Sequence, residues 1–288
     1  MSNWITAETG MFIGVNNDDY HADRTRVSKS WLDRVAKSPL HLRQYLDNEL
    51  EKTLALIIGS AVDALVFEPE LFDKQFVKGP TDSKRSKAGK EVWAEAYEDA
   101  EKTGRTIIEC HNQVNYWDQC HKTAEAIMGN PKMREILVDG VGQAVFVGID
   151  ETTGLKTKCK TDNYHEASNT VCDLKTAACA SPYEFARSIA SYRYHVQDAY
   201  YSDIIAQVVG DQPNFFFAVM EKPPTGIAPD SGMMAFYELT EREKLAGRNT
   251  YQSDLMAIAF AMDTGIWGGY ADEVITLERP AWAQNRDQ

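Results

Sequence analysis

The sequence predicts a mixed α/β fold with a helical N-terminal part, on three observations. Apolar residues recur at helical spacing through much of the stretch from about residue 14 to 130. Between Gly142 and Ala177 the period changes to two, as in strands. The remainder alternates again: a helical stretch, two further strand-like stretches and a final helical one.

In order, GVNNDDYHAD reads as a loop, followed by a helix in which Ser30 and Asp33 resemble a capping pair. A second short helix starts at Pro39, whose fixed φ suits a first helical position. Residues 54 to 67 form a buried helix that ends at Glu68-Pro69 and carries one internal carboxylate, Asp63. The polar, basic segment TDSKRSKAGKE (81 to 91) predicts a mobile loop. Helices follow over about 88 to 102 and 110 to 128.

GQAVFVGID, GLKTKCKTDNYHE and NTVCDLKTA then form a three-strand meander, with turns at Glu151-Thr152-Thr153-Gly154 and Ala167-Ser168-Asn169. A long helix runs from 181 to 209, with Ser181 as N-cap and Pro182 at its first position. NFFFAVMEK and MMAFYELT are strands, and a helix covers about 240 to 263.

Composition limits the function classes. No run reaches the ~18 to 20 apolar residues of a membrane span, because LALIIGSAVDALVF is interrupted by Gly59 and Asp63. MSNWITAETG lacks the basic and apolar regions of a secretory signal. The five cysteines, Cys110, Cys120, Cys159, Cys172 and Cys179, contain no CxxC pair, which argues against a disulfide framework or a zinc knuckle and points to a reducing cytoplasm. The net charge of −13 is weak evidence against a surface coated for nucleic acid, and leaves room for a local basic channel.

The chemistry gathers around VCDLKTA. On a strand, Asp173 and Lys175 share one face while Cys172, Leu174 and Thr176 share the other. Burying both charges is costly unless they are paired or hold something charged. A structural ion pair is the simpler use; a hard-cation site is the other. Asp162, eleven residues earlier, lies near the end of the preceding strand, and Asp63 offers a third carboxylate. Oxygen ligands of this kind suit magnesium, and the lysine would sit beside an attacking water. Gln197, Tyr201 and Tyr194 share a helix face downstream.

Asp162, then Asp173-Leu174-Lys175, then Gln197 and Tyr201 resemble the PD-(D/E)xK nuclease core with the helix motif of its RecB-like branch. GVNNDDYHAD, SKSWLDRVAKSPLHL, GSAVDALVFEPELF, DLKTA, SYRYHVQDAYYSD, EREKLAGRNTY and the closing RPAWAQ are similar to the RecE-type (exonuclease VIII) phage and prophage exonucleases. The resemblance covers nearly the whole chain from about Gly14. It implies one nuclease domain over residues 1–288, helical from about 14 to 130 and catalytic from about 131 to 288. The implied core is restriction-endonuclease-like, a central mixed sheet flanked by helices.

It further implies a metal-dependent 5′ to 3′ exonuclease on linear double-stranded DNA, leaving 3′ single strands for recombination by strand annealing. Magnesium would be the cofactor, with manganese able to substitute. The partners would be DNA ends, a single-strand annealing protein and other copies of the chain, in a trimeric or tetrameric ring within the cytoplasm of a bacterial host. Asp63, Asp162, Asp173 and the Leu174 carbonyl would bind metal, Lys175 would be the catalytic lysine, and Gln197 and Tyr201 would support them. The family usually has histidine where this chain has Asp63, and related nucleases often have glutamate near Gln143.

DNA contacts are expected from Arg24, Arg26, Ser28 and Ser30 at a helix start near His21, where a 5′-phosphate would sit, and from Lys84, Arg85, Lys87, Lys90, Arg187 and Arg193. Two other readings remain: an endonuclease on the same core, and a DNA-end-binding scaffold that has lost catalysis.

Overall fold

The computed structural model describes residues 3–48, 52–109, 114–222, 227–271 and 273–280. Cys110 and most of the closing RPAWAQ stretch lie outside them. The chain starts with strand β1 (Gly10–Phe12) and helices α1 (Asn17–Ala22), α2 (Lys29–Val35) and α3 (Pro39–Asp47). Helices α4 (Leu54–Phe67) and α5 (Pro69–Gln75), strand β2 (Phe76–Lys78), α6 (Lys87–Thr103), β3 (Thr106–Ile108), α7 (Tyr116–Gly129) and α8 (Pro131–Leu137) follow.

The second half contains β4 (Val141–Gly142), β5 (Val145–Ile149), β6 (Lys156–Lys160), β7 (Asn163–His165) and β8 (Thr170–Ala177). It ends with α9 (Pro182–Tyr192), α10 (Tyr194–Val209), β9 (Asn214–Glu221), β10 (Met234–Glu238) and α11 (Glu241–Thr264).

The central sheet is mixed, in the order β10-β9-β8-β7-β4, with only the β8–β9 pair parallel. Successive residues of β9 show why it is central. Phe215, Phe217 and Val219 enter the core shared with α2, α10 and α11, while Ala218 and Met220 enter the core shared with α4 and α7. A strand buried on both faces reads as a continuous apolar run, as this one does.

The expected meander is divided between two sheets. β5 and β6 join β1 in a three-stranded sheet, whereas β7 and β8 belong to the central one. The break is a bend at Gln143 and Asp162. Gln143 takes a left-handed φ of +54°, and its N–H donates to the Asp162 carbonyl at 3.0 Å while Thr161 N–H donates to the Ala144 carbonyl at 2.9 Å. The ribbon therefore stays bonded through the bend but turns its pleat, as bulged strands do.

The long helix expected over 181 to 209 is two helices. Arg193 sits between them at φ +55°, ψ 43°. The cost of that conformation is offset by the arginine's own bonds, to the Leu32 carbonyl (2.7 Å), to Asp33 (3.3 Å) and to Asp254. Ser181 is the N-cap of α9 by position but makes no capping bond. The N-cap of α2 is Ser28, not Ser30; Asp33 instead receives Lys29 Nζ at 2.7 Å. The segment 81 to 91 is a loop only as far as Ser86, whose hydroxyl accepts from Gly89 N–H and starts α6. Helix α1 lies inside the GVNNDDYHAD stretch expected as a loop, and strand β1, the parallel β2–β3 pair and helices α5 and α8 were not anticipated.

Two glycines set close approaches. A Cβ at Gly247 of α11 would lie 2.0 Å from the His195 carbonyl oxygen, so these helices cross at backbone contact. A Cβ at Gly142 would lie 2.8 Å from the Phe67 carbonyl oxygen, so the end of α4 lies directly on β4.

Asp198 of α10 is wholly buried, and its Oδ2 has no hydrogen-bond partner. Burial pushes its carboxyl up to about 7, with Lys244 and the Ser202 hydroxyl opposing and Glu238 and Glu241 adding to the rise. A carboxyl that holds its proton more tightly folded than unfolded contributes least to stability once pH exceeds its folded value. Stability should therefore fall as pH rises from about 4 through about 7. Asp198→Asn should raise stability by about 1–3 kcal/mol at pH 8 and little at pH 4, which thermal melts at the two pH values would read. An equal shift at both would contradict this.

Candidate active site

The carboxylates meet where β7 stops pairing with β8. The β7–β8 ladder ends at the Asn163–Cys172 pair. The Leu174 N–H beyond it is taken by Asp162 Oδ2 at 2.8 Å. The side chain of the bend residue thus replaces the missing strand partner, which fixes the orientation of that carboxylate. Asp173 is 3% exposed. Its Oδ1 accepts from Gln197 Nε2 at 2.5 Å, while Oδ2 forms an ion pair with the Lys175 ammonium.

The electrostatics tie the cluster together. Burial, then repulsion from Asp162 and Asp173, holds the Asp63 carboxyl well above the usual carboxylate range, with Lys175 opposing. Burial and Asp173 push Asp162 up to about 7, against Lys175 and the Leu174 N–H. Burial works against the Lys175 ammonium, but Asp173, Asp162 and Tyr194 outweigh it and hold the lysine charged well past its ordinary range. The result is three carboxylates crowded around two ammonium groups, Lys175 and Lys160.

Among the described residues, no three His, Cys, Asp or Glu side chains stand as a ready metal cage. The closed set of Asp63, Asp162 and Asp173 expected from the sequence is therefore not preformed. The Lys175 ammonium supplies the positive charge at Asp173. The donor set still fits a hard divalent ion. It is all oxygen, and its three carboxylates outnumber the two ammonium groups beside them, Lys175 and Lys160. Magnesium commonly takes one or two carboxylates and keeps waters for the rest.

Tyr194 covers Lys175, with Nζ 4.9 Å from the ring centroid. Tyr201 packs with Phe215 in the core, centroids 6.4 Å apart, and so supports the site through packing. Gln143 contributes its backbone to the bend. Lys160, the last residue of β6 and two before the bend at Asp162, was missed from sequence. Burial lowers its ammonium, opposed by Glu68, Asp162 and Asp63. It bonds Asn17 Oδ1 at 2.7 Å, joining the N-terminal segment to the rim of the site.

Several residues expected on DNA are engaged within the chain. Arg26 is fully buried, and its guanidinium bonds Asp23 (3.1 Å) and the carbonyls of Trp4 (3.1 Å), Ile5 (2.7 Å) and Ala7 (2.8 Å). Only a guanidinium spans so many acceptors in one plane. Arg26→Lys should cost about 1–3 kcal/mol, read as a lower melting temperature; an unchanged melt would contradict this role. Ser28 is buried. Arg193 is engaged at the helix break. Lys84 bonds Tyr97 and Glu109, both at 2.7 Å, and lies over Trp93. Arg187 pairs with Glu184 at 3.2 Å. Arg24, Ser30, Arg85, Lys87 and Lys90 are exposed, Arg24 lying over the Tyr45 ring.

No helix among the described residues is long and apolar enough to cross a membrane. None of the curated proteins matches the chain. Among solved structures, a "putative exonuclease" from Eubacterium rectale superposes with a TM-score of 0.60 at 17% identity, over 95% of this chain and 98% of that one. At that identity the likeness shows the fold. Residues 28–268 match the model of the family described as a PDDEXK-like domain of unknown function (DUF3799). That match spans most of the chain, and the chain belongs to this PDDEXK-like family.

Proposed function

We propose that the protein is a metal-dependent deoxyribonuclease of the RecE type, degrading linear duplex DNA 5′ to 3′ and leaving 3′ single strands. The observation that carries this reading is the pairing of Asp173 with Lys175 on β8, Asp162 opposite and Gln197 behind, in a chain of the PDDEXK-like family. Divalent ions are a common device of nucleases, which use them to activate water and offset charge on the phosphate. Asp162 and Asp173, with Asp63 beside them and the Leu174 carbonyl, would hold magnesium or manganese. When bound, the ion would polarise the phosphate and lower the pKa of a water.

The chain's own groups do the remainder. Lys175 Nζ, held charged by Asp173 and Asp162, donates to the attacking water and to the charge growing on the phosphate. Gln197 Nε2 holds Asp173 Oδ1, and the Leu174 N–H holds Asp162 Oδ2, so neither carboxylate must reorganise during the reaction. Tyr194 shields the lysine from bulk water. A single-strand annealing protein and a ring of three or four copies complete the proposal. Arg24, Arg85, Lys87 and Lys90, all exposed, are the cations offered to DNA.

The test is digestion of 5′-labelled and 3′-labelled linear duplex beside a closed circle. Early release of the 5′ label with the circle intact is expected. Cutting of the circle would replace this reading with an endonuclease. End binding without release would replace it with a scaffold, for which Asp63 in place of the usual histidine would be the reason.

A further inference from the structure

Tyr192, the last residue of α9, is 62% exposed, yet its ring is not loose. It stacks on Tyr194 with centroids 5.6 Å apart and planes at 30°. Tyr194 stacks on Phe185 (5.9 Å, 30°), and Phe185 on Tyr237 (5.0 Å, 17°). This aromatic ladder is rooted in the core and ends at the surface. Its second rung is the ring that covers Lys175.

The backbone that presents the outer rung is also fixed. Lys29 Nζ bonds the Tyr192 carbonyl at 3.3 Å, and the next residue is the anchored Arg193. Lys29, Lys175 and Arg193 surround the platform, offset in part by Asp33 and Asp254. A flat π-face open to water, rigidly backed and one ring away from a charged lysine, matches a flat aromatic ligand carrying an adjacent anion. A nucleotide has that form, and base–aromatic stacking is insensitive to sequence.

We propose that Tyr192 is the stacking platform for a nucleobase of the nucleotide whose phosphate lies at Lys175. This rests on the nuclease reading above and adds a base subsite to it. The platform would hold the end of a strand in register with the carboxylates while leaving base identity unread.

The test uses the full chain and 5′-phosphorylated duplexes carrying 2-aminopurine at each of the first three positions of either strand, in chelator so that nothing is cleaved. Wild type and Tyr192→Phe should perturb the fluorescence at one of these positions. Tyr192→Ala and Tyr192→Leu should lose that signal and bind ends about ten- to a hundredfold more weakly. Leucine keeps apolar bulk without a π-face, so the Phe–Leu contrast separates stacking from structural packing, and decides the matter even if the alanine variant unfolds. Equal binding and equal signal across the variants would overturn the platform. Cleavage of ends by wild type with a signal insensitive to residue 192 would leave the nuclease standing and the platform overturned. A Tyr192-dependent signal without cleavage in metal would do the reverse. No binding of ends by wild type in chelator would overturn the platform as a metal-free binding site, and cleavage in metal would still decide the nuclease reading.

Discussion

Lys175→Ala should lower turnover on linear duplex by about 10²–10³-fold or more, because it removes the ammonium paired with Asp173, and thus the group poised to meet charge on the phosphate. The same change should destabilise the metal-free protein. Asp173, Asp162 and Asp63 repel one another, and Lys175 opposes the rise at Asp63 and Asp162. A divalent ion added to the variant should restore much of the lost melting temperature, since anything that binds the folded state alone stabilises it. Activity should not return with it. Near wild-type turnover would exclude Lys175 from the chemistry, and a melt indifferent to metal would exclude the carboxylates from metal binding.

Asp162→Asn should move stability the opposite way. Asparagine retains an oxygen to accept from Leu174 N–H, so the strand end at β8 keeps its partner. One negative charge leaves a crowded cluster. The metal-free variant should therefore be more stable than wild type, by about 1–2 kcal/mol. Hydrolysis should nevertheless fall about 10²–10³-fold or more, and the metal-induced rise in melting temperature should shrink or vanish. A residue whose neutralisation stabilises the protein and removes its activity is kept for function. An Asp162→Asn protein that is less stable, with activity intact, would show that the carboxylate serves only as a strand cap.

Much of this was legible because strand periodicity determines facing. Asp173 and Lys175 point together by alternation alone, and the β8 position of both followed from VCDLKTA. α4, α11, β9 and β10 were likewise readable, because long apolar patterns and proline or threonine boundaries leave little freedom. The bend at Gln143 and Asp162 was not legible, since a positive φ at a glutamine is imposed by tertiary contact, and the two sheets diverge there. The break at Arg193 was hidden for the same reason: the helical pattern runs through it, and bonds to Leu32, Asp33 and Asp254 from distant helices override it.

Charge was the least legible property. Arg26 and Arg193 look in sequence like free cations for DNA, yet their partners come from other elements, and for Arg26 these are mostly carbonyls, which every residue possesses. Lys160 and Tyr192 were overlooked for the converse reason. One is a lysine among several in KTKCK, and the other a tyrosine among three in SYRYHVQDAY. Only the contacts with Asn17 and Tyr194 distinguish them.

The central claim is that the Asp162, Asp173 and Lys175 cluster hydrolyses DNA ends with a divalent ion. The most direct measurement is the time course of nucleotide release from linear duplex by wild type and by Asp173→Asn, each with magnesium, with manganese and with chelator. Release by wild type alone, and only with metal, is the expected result. Release that persists in chelator, or that Asp173→Asn leaves undiminished, would contradict the account.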